Sequence, residues 1–320
     1  MCYRVCRIRL ARAAITLVEL LVVLTIIGGL AALLIPSVMK ARESARRMHC
    51  ANNMRQLGLG LHQFHDTFRV FPASGWTEPG PGNPDGQFVG WRPLILPYLE
   101  KSSVYAQYDF TMHWWEGSNI QTASIALPVF RCPSVPSQPS VVAATDHPPR
   151  PGMVFSLPLA STDYEALMGV KPDSIDPTRY NNSNRFSIMH RNSRKSFRDV
   201  ADGTTNTIAV VECSARPDVY RLRKRIASLE NDQGICWADS EGPFSLDLSS
   251  SDGSLEGCLP VNGCTYAMNR RNDNEPFSFH ASGLNAIFVD GSLDFIAESV
   301  DAYTFAALAT ASGGEIIVKE

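Results

Sequence analysis

The hydrophobic pattern of this chain starts with one long apolar run and then changes near residue 40. Residues 13–39, which lie between Arg12 and Lys40, contain a single charged side chain, Glu19. About 20 apolar residues are enough to span the hydrocarbon core of a membrane, so the run predicts a transmembrane helix over residues 15–39. A carboxylate in such a segment costs roughly 2.5–3.5 kcal/mol on insertion scales, so Glu19 is expected to have a specific partner.

The residues before the apolar run indicate its orientation. The first 12 positions contain four arginines and no acidic residue. Because positive charge is retained on the cytoplasmic side, the amino terminus is expected in the cytoplasm and the rest of the chain outside it. An ordinary secretory signal is the alternative, and Leu30-Ala31-Ala32 can be read as its small-residue cleavage site. Such signals have an apolar core of only about 7–15 residues, however, so the length of the run favours a retained anchor.

After the anchor, apolar positions recur at helical intervals and then at strand-like intervals. Residues 40–66 contain no proline, and the spacing of Met48, Met54, Leu57, Leu61 and Phe64 predicts that the helix continues until Phe71-Pro72. Short apolar runs at 208–211, 284–289 and 293–296 predict strands, and Asp290-Gly291-Ser292 is a turn that joins the last two. Proline- and glycine-rich stretches at 72–86 and 133–152 predict irregular connections, and the second is a candidate sub-boundary within an exported domain 67–320.

Charge and cysteine content agree with export. The chain has 29 basic and 32 acidic residues, and the basic run 221–225, interpreted as a solvated helix face, gives no reason to expect nucleic-acid binding. Cys2 and Cys6 precede the anchor, and six cysteines follow it: Cys50, Cys132, Cys213, Cys236, Cys258 and Cys264. An even set in an oxidising compartment predicts disulfides, with 15 connectivities open. The short loop between Cys258 and Cys264 favours that pair, and Cys50 with Cys132 would tie the helix to the domain. No Cys-x-x-Cys spacing typical of zinc sites occurs.

The start of the apolar run resembles the processing site of type IV prepilins and type II secretion pseudopilins. Residues 14–20 read Ala-Ile-Thr-Leu-Val-Glu-Leu, and Gly28 and Pro36 occupy positions where such segments carry a glycine and a proline. The resemblance implies that a prepilin peptidase removes a leader, residues 1–14, by cutting between Ala14 and Ile15, and methylates the new amine. The family more often has glycine in place of Ala14 and phenylalanine in place of Ile15.

The resemblance also implies a role for the buried carboxylate. Once Ile15 is the first residue, its amine lies one helical turn from Glu19, and the amine of a neighbouring subunit can pair with the carboxylate as apolar helices bundle. Glu19, Gly28 and Pro36 are therefore the predicted assembly residues.

Further along, several blocks resemble a large family of uncharacterised prepilin-like exported proteins. The blocks lie at 46–59, 62–66, 91–100, 130–134 and 202–207, and the family signature, a histidine followed by Asp-Gly, corresponds to His280, Asp290 and Gly291. Together the two resemblances imply an α+β, pilin-like fold, in which a long amino-terminal membrane-spanning helix packs on an antiparallel sheet within an enlarged, loop-rich domain.

The expected function is that of a pseudopilin-like structural subunit and not of an enzyme. It would be a single-pass inner-membrane protein with a periplasmic or extracellular domain, assembling with itself or other pilin-like subunits into a secretion pseudopilus or pilus-like filament. A membrane-anchored module that binds envelope glycan or polymer is the alternative, and an exported hydrolase is a third. For the binding module, an aromatic platform would come from Trp76, Trp91, Trp114, Trp115 and Trp237, with Trp114-Trp115 as the most exposed pair. Filling of the core or of an interface is the favoured interpretation of these tryptophans.

Candidate chemistry in the exported domain is sparse. No Gly-x-Ser-x-Gly elbow or phosphate-binding glycine loop occurs. His280 and Asp290 can be read as a ligand or acid–base pair, or as a hydrogen bond that fixes the hairpin. The resemblance to pseudopilins, which often bind calcium in loops near the carboxy end, makes calcium the one cofactor considered. Its candidate oxygen ligands are Asp290 and Asp294, together with Asp252 and Asp273. The cluster of His62, His65 and Asp66 is interpreted as a polar helix face.

Overall fold

The computed structural model describes residues 16–136 and 140–315, and the chain forms two compact units that meet between Ala45 and Arg46. The predicted processing site, Ala14 and Ile15, lies outside the described residues. The described parts contain six α-helices, four short 3-10 helices and eleven strands. The α-helices are α1 (Leu17–Phe68), α2 (Trp91–Ile95), α3 (Ser102–Tyr105), α4 (Gly117–Ala123), α5 (Pro172–Ile175) and α6 (Ala302–Ala309). The strands are β1 (Gly75–Trp76), β2 (Val89–Gly90), β3 (Ser140–Ala144), β4 (Met153–Ala160), β5 (Tyr164–Val170), β6 (Ile208–Glu212), β7 (Asp218–Arg221), β8 (Lys224–Glu230), β9 (Phe244–Leu246), β10 (Gly283–Phe288) and β11 (Leu293–Ala297).

Helix α1 is a single element of 52 residues that continues through Pro36. Its large apolar side chains from Leu17 to Met39 are exposed, because no other part of the described chain covers them, and Glu19 is the only charged residue among them. This part is long and apolar enough either to span a membrane or to act as a signal sequence. The predicted apolar helix is therefore present.

The carboxy-terminal part of α1 is amphipathic, as the spacing predicted. Met54, Leu57, Leu61 and Phe64 are buried, which confirms their assignment to the core face. Met48 is an exception because it is 59% exposed. The helix ends at Phe68 and is followed by Arg69 at a φ of 63°, so the chain turns before the predicted stop at Phe71-Pro72.

The central sheet of the second unit has five strands in the order β11-β10-β6-β5-β9. All neighbours are antiparallel except β5 and β9, which pair in parallel, so the sheet is mixed and the prediction of a purely antiparallel sheet is wrong. The β5–β9 pairing joins strands distant in sequence, which local patterns do not encode. The three predicted strands are confirmed as β6, β10 and β11, and Asp290-Gly291-Ser292 forms the turn of the β10–β11 hairpin.

Side chains on the two faces of the sheet enter different parts of the core. Val210 and Ile287 pack with the buried face of α1, whereas Val211 and Phe288 pack with Phe305 of α6. The second unit therefore has a helix on each face of the sheet, and both faces are buried. Two-stranded pairs, β1–β2, β3–β4 and β7–β8, lie outside this sheet.

The basic run 221–225 is a hairpin and not a helix face. Arg221 and Lys224 pair at the end of β7 and the start of β8, and Leu222 and Arg223 between them have φ values of 47° and 62°. Two left-handed residues are typical of the tight turn that joins twisted antiparallel strands. The helical interpretation failed because it relied on charge alone.

Candidate functional site

Glu19 lies in the first turn of α1, next to the residue that caps the helix. The Thr16 backbone N–H and the Thr16 hydroxyl both donate to Glu19 Oε2 at 2.8 Å, and the Glu19 N–H donates to Thr16 Oγ1 at 3.3 Å. This reciprocal arrangement is a capping box, which satisfies helix N–H groups that have no partner within the helix. Capping is thus one role for Glu19, and it requires a hydrogen-bond acceptor but no charge.

Four buried side chains of the second unit bring possible metal-ligand atoms within 4.8 Å of one another. They are Cys50, Cys132, Glu212 and His280, hereafter the buried cluster. Cys50 comes from α1, Glu212 is the last residue of β6, and His280 precedes β10. Cys132 follows the short turn 128–130, which is held against α1 because Asn53 Nδ2 donates to the carbonyl oxygens of Pro128 and Arg131. Four separate segments of the chain therefore meet at one point in the interior of the second unit.

The buried cluster has close spacing and is closed to solvent. Cys50 and Cys132 form a disulfide, the pairing expected to tie the helix to the domain. His280 Nε2 lies 3.5 Å from Cys132 Sγ and 3.3 Å from Glu212 Oε1. The four side chains are at most 1% exposed. The cluster therefore combines a disulfide, an imidazole and a carboxylate in a dry interior.

Neighbouring groups fix the orientation of the carboxylate and the imidazole. Asn285 on β10 donates from its side chain to Glu212 Oε1 and from its backbone to Glu212 Oε2, both at 2.9 Å. Arg223 Nη2 donates to the His280 carbonyl oxygen at 2.8 Å. The two bonds from Asn285 hold the Glu212 carboxylate, and the bond from Arg223 holds the backbone at His280, before any ligand is considered.

The structure does not pair His280 with Asp290. The two residues lie at opposite ends of β10, and the Asp290 carboxylate instead accepts from the Ser292 N–H and hydroxyl. The partner of His280 is Glu212, a residue that the sequence analysis did not select. The sequence feature that could have identified Glu212 is its position as the single acidic residue at the end of an apolar strand.

The Asp-Gly part of the signature has a packing role against α1. Gly291 has a φ of +84°, and a side chain there would approach His62 Nε2 to 3.1 Å. The same His62 nitrogen lies 3.0 Å from the Val289 carbonyl oxygen. Glycine at this turn thus allows the hairpin to contact the helix closely.

The aspartates considered for calcium are not brought together. Within residues 16–136 and 140–315, the buried cluster is the only group of three or more His, Cys, Asp or Glu ligand atoms at metal-binding spacing, and it contains none of those aspartates. Asp252 accepts hydrogen bonds from Ser250 and Ser254, and Asp273 is paired with Arg271. Asp294 lies in β11, four residues beyond the Asp290 turn.

The remaining cysteines fall into two groups. Cys258 and Cys264 form the second disulfide, which matches the pair favoured from the sequence. Cys213 and Cys236 are buried free thiols, so their assignment as disulfide candidates is wrong. Burial raises the pKa of Cys213 to about 12, and Cys213 Sγ contacts the carbonyl oxygens of Asn272 and Glu275. Neither thiol is activated as a nucleophile, because burial also raises the pKa of Cys236.

A second polar feature of the interior is a charged triad formed by Arg92, Glu165 and Arg216. Glu165 Oε1 lies 2.5 Å from Arg92 Nη2 and 2.6 Å from Arg216 Nη2, and all three side chains are fully buried. The guanidinium groups also donate to the carbonyl oxygens of Tyr164, Trp237 and Gly242. Through these contacts the triad links segments of the domain that are far apart in sequence.

The second unit also has a surface cavity of about 430 Å³ with an aromatic lining. Its aromatic residues are Phe64, Phe68, Phe71, Trp76, Tyr98, Tyr105 and Phe110, and Ser193 and Arg194 add polar groups. Trp76 is the only tryptophan in this lining. Trp91, Trp114 and Trp237 are fully buried and Trp115 is 4% exposed, which agrees with the interpretation of these tryptophans as core residues. The expectation that Trp114-Trp115 is the most exposed pair is wrong.

Comparison with known proteins identifies a family. A family model described as "Protein of unknown function (DUF1559)" matches residues 39–303, which is most of the chain. The protein belongs to the DUF1559 family. No curated protein and no solved structure matched the chain.

The DUF1559 match covers most of the second unit but not the exposed apolar part of α1. All four residues of the buried cluster and all residues that line the aromatic cavity fall inside the matched range, whereas Glu19 and the exposed apolar part of α1 up to Val38 fall outside it. Family membership therefore bears on the second unit, and any role of the apolar part of α1 depends on its own residues.

Proposed function

We propose that this DUF1559 protein is a pilin-like structural subunit, anchored in the inner membrane by α1 and assembled through that helix into a pseudopilus or pilus-like filament. The observation that carries the proposal is one continuous helix with two different halves. The amino-terminal half exposes apolar side chains and one carboxylate, and the carboxy-terminal half packs into the globular unit. Under the proposal the first half lies in the membrane and the second half belongs to the exported domain.

The lone carboxylate supports assembly more than simple anchoring. An anchor that only spans the membrane gains a helix cap from Glu19, but an uncharged polar side chain would supply the same cap, and the charge is costly in an apolar segment. Under the proposal a prepilin peptidase cuts before Ile15, and the new amine of one subunit pairs with Glu19 of the next. Pairing in an apolar bundle removes the cost of an isolated charge.

The globular unit is suited to the outside of the membrane. Its two disulfides are typical of proteins that fold in an oxidising compartment. The arginines before the apolar segment favour a cytoplasmic amino terminus, which supports a periplasmic or extracellular location for this unit.

The test separates charge pairing from helix capping at Glu19. A Glu19→Gln variant keeps a side chain that functions in a capping box but removes the charge. We expect its recovery in sheared filament fractions to fall about a hundredfold, because loss of one partner of a buried ion pair costs about 3 kcal/mol or more. Membrane insertion, measured by carbonate extraction, should not change.

Thr16→Val is the matched control, since it removes the capping hydroxyl and leaves the charge. It should assemble to within a few fold of the wild type, and mass spectrometry of the wild-type protein should show an N-methylated Ile15. Normal assembly of Glu19→Gln, or a mature chain that begins near residue 33, would refute the proposal.

The aromatic cavity favours a second candidate function, a membrane-anchored module that binds envelope glycan. Sugar rings stack on aromatic faces, and Trp76 offers such a face beside Arg194. Trp76→Ala is expected to weaken binding of a ligand found by glycan array about 3- to 10-fold, which corresponds to about 0.5–1.5 kcal/mol of stacking energy. Tyr303→Ala removes an exposed aromatic ring on α6, outside the cavity, and should not change affinity. Equal effects of the two variants would remove this candidate.

A further inference from the structure

The buried cluster contains more polar groups than a structural disulfide requires. A disulfide that only links α1 to the loop at Cys132 needs no imidazole and no carboxylate beside it. Here the ligand atoms of Cys50, Cys132, Glu212 and His280 all lie within 4.8 Å of one another. Burial of Glu212 and His280 side by side costs free energy unless the pair is used or well compensated.

Two distances in the buried cluster match edges of a zinc tetrahedron. With Zn–S of about 2.3 Å and Zn–N of about 2.05 Å, a tetrahedral sulfur-to-nitrogen edge is about 3.6 Å. His280 Nε2 lies 3.5 Å from Cys132 Sγ. With Zn–O of about 2.1 Å, the nitrogen-to-oxygen edge is about 3.4 Å. His280 Nε2 lies 3.3 Å from Glu212 Oε1. Two of the six edges of the tetrahedron therefore already have the length of a zinc site, and the other ligand atoms lie within 4.8 Å of one another.

We propose that the reduced form of the buried cluster is a zinc site in which Cys50, Cys132, Glu212 and His280 are the four ligands. The disulfide takes two electrons and two protons from a dithiol reductant, which leaves as its own disulfide, and two thiols are formed. Binding of Zn²⁺ then releases those two protons as the thiols become thiolates. The two sulfurs, no longer bonded, separate to about 3.8 Å, which is the sulfur-to-sulfur edge of the same tetrahedron.

The donor set selects the metal. Two thiolates and an imidazole disfavour calcium and magnesium, which prefer oxygen ligands, and a four-coordinate mixture of sulfur, nitrogen and oxygen suits zinc. Four protein ligands close the coordination sphere, so the site is structural and leaves no open position for a reacting water. Asn285 supplies the outer contact, since its two hydrogen bonds hold the Glu212 carboxylate.

The site gives the domain two ways to hold α1 against the loop at Cys132. In the oxidised chain a covalent bond joins α1 to the loop at Cys132. In the reduced chain zinc joins α1, that loop, the end of β6 and the segment before β10. The domain can then be stable before oxidation, or after reduction, with α1 held in the same place.

The experiment measures zinc uptake by the full chain in detergent micelles. The protein is reduced with a phosphine, freed of metal and titrated with Zn²⁺ against a chromophoric chelator, and Co²⁺ is used to record the thiolate–cobalt absorption. We expect one Zn²⁺ per reduced chain, none in the oxidised chain, and a higher melting temperature of the reduced protein with zinc than with a chelator. Asn285→Ala should weaken zinc binding by about 10- to 100-fold, as for other groups that orient a ligand.

Controls distinguish this site from other thiols. A Cys258→Ala/Cys264→Ala variant lacks the other disulfide and should still bind one Zn²⁺ when reduced. A Cys50→Ala/Cys132→Ala variant and His280→Gln should lose the cobalt absorption, and tryptophan fluorescence reports whether each variant is folded. The proposal is overturned if the folded, reduced wild type binds no zinc, or if zinc binding is lost with Cys258 and Cys264 and not with Cys50 and Cys132.

Discussion

Replacement of Glu165 with alanine is expected to lower the free energy of unfolding by about 3–5 kcal/mol. The change leaves the guanidinium groups of Arg92 and Arg216 buried without their shared carboxylate, and an uncompensated buried charge is costly. Because globular domains are stable by only about 5–15 kcal/mol, this loss is a large part of the total.

The measurement is a urea titration of the full chain in micelles, followed by tryptophan fluorescence. Trp91, Trp114 and Trp237 are fully buried in the second unit, so their emission reports its unfolding. The matched control is Arg225→Ala, which breaks the exposed Arg225–Asp218 pair at 2.8 Å and should cost no more than about 1 kcal/mol. Equal losses in the two variants would contradict the assignment of the triad as a buried charged unit.

An apolar version of the triad tests the origin of that loss. In a triple variant, Arg92→Met/Glu165→Leu/Arg216→Met, no charge is left behind, so it should be more stable than Glu165→Ala. Full recovery is not expected, because the carbonyl oxygens of Tyr164, Trp237 and Gly242 lose their guanidinium donors.

Loss of the Cys50–Cys132 disulfide is expected to cost more than loss of the Cys258–Cys264 disulfide. The first closes a loop with a sequence separation of 82 residues and the second a loop with a separation of 6. In the chain-entropy model these loops correspond to about 4.5 and about 2.4 kcal/mol. A larger loop leaves the unfolded chain with more conformations, and the cross-link removes more of them.

The two double variants, Cys50→Ala/Cys132→Ala and Cys258→Ala/Cys264→Ala, are compared by the same urea titration. Each serves as the control for the other, since both remove one disulfide from the same chain. A larger loss for the short loop would show that loop closure does not govern the stability of this domain.

Local patterns predicted the parts of this fold that depend on neighbours in sequence. The apolar run gave α1, the i to i+7 spacing of Met54, Leu57 and Leu61 gave its buried face, and Asp290-Gly291 gave the hairpin turn. Single features without such periodicity failed, because the basic run at 221–225 formed a hairpin and the Trp114-Trp115 pair was buried. Charge and aromatic content do not by themselves specify exposure.

The candidate site was the least predictable part. His280 was selected from its motif, but its partner Glu212 comes from a strand that pairs with β10 only in the folded chain. The same holds for Glu165 and its two arginines, which are joined from segments far apart in sequence. Such side chains meet because strands that are far apart in sequence pair with one another, and the pairing buries the polar side chains that they carry.

The sequence by itself determined the apolar segment with its one carboxylate, the amphipathic continuation of the helix and the hairpin near the carboxy terminus, because each depends on residues within a few turns or a few strand positions. Only the tertiary structure decided the mixed sheet, the burial of the charged triad and the meeting of Cys50, Cys132, Glu212 and His280. Those outcomes depend on which distant segments pack together, and packing is set by the whole chain at once.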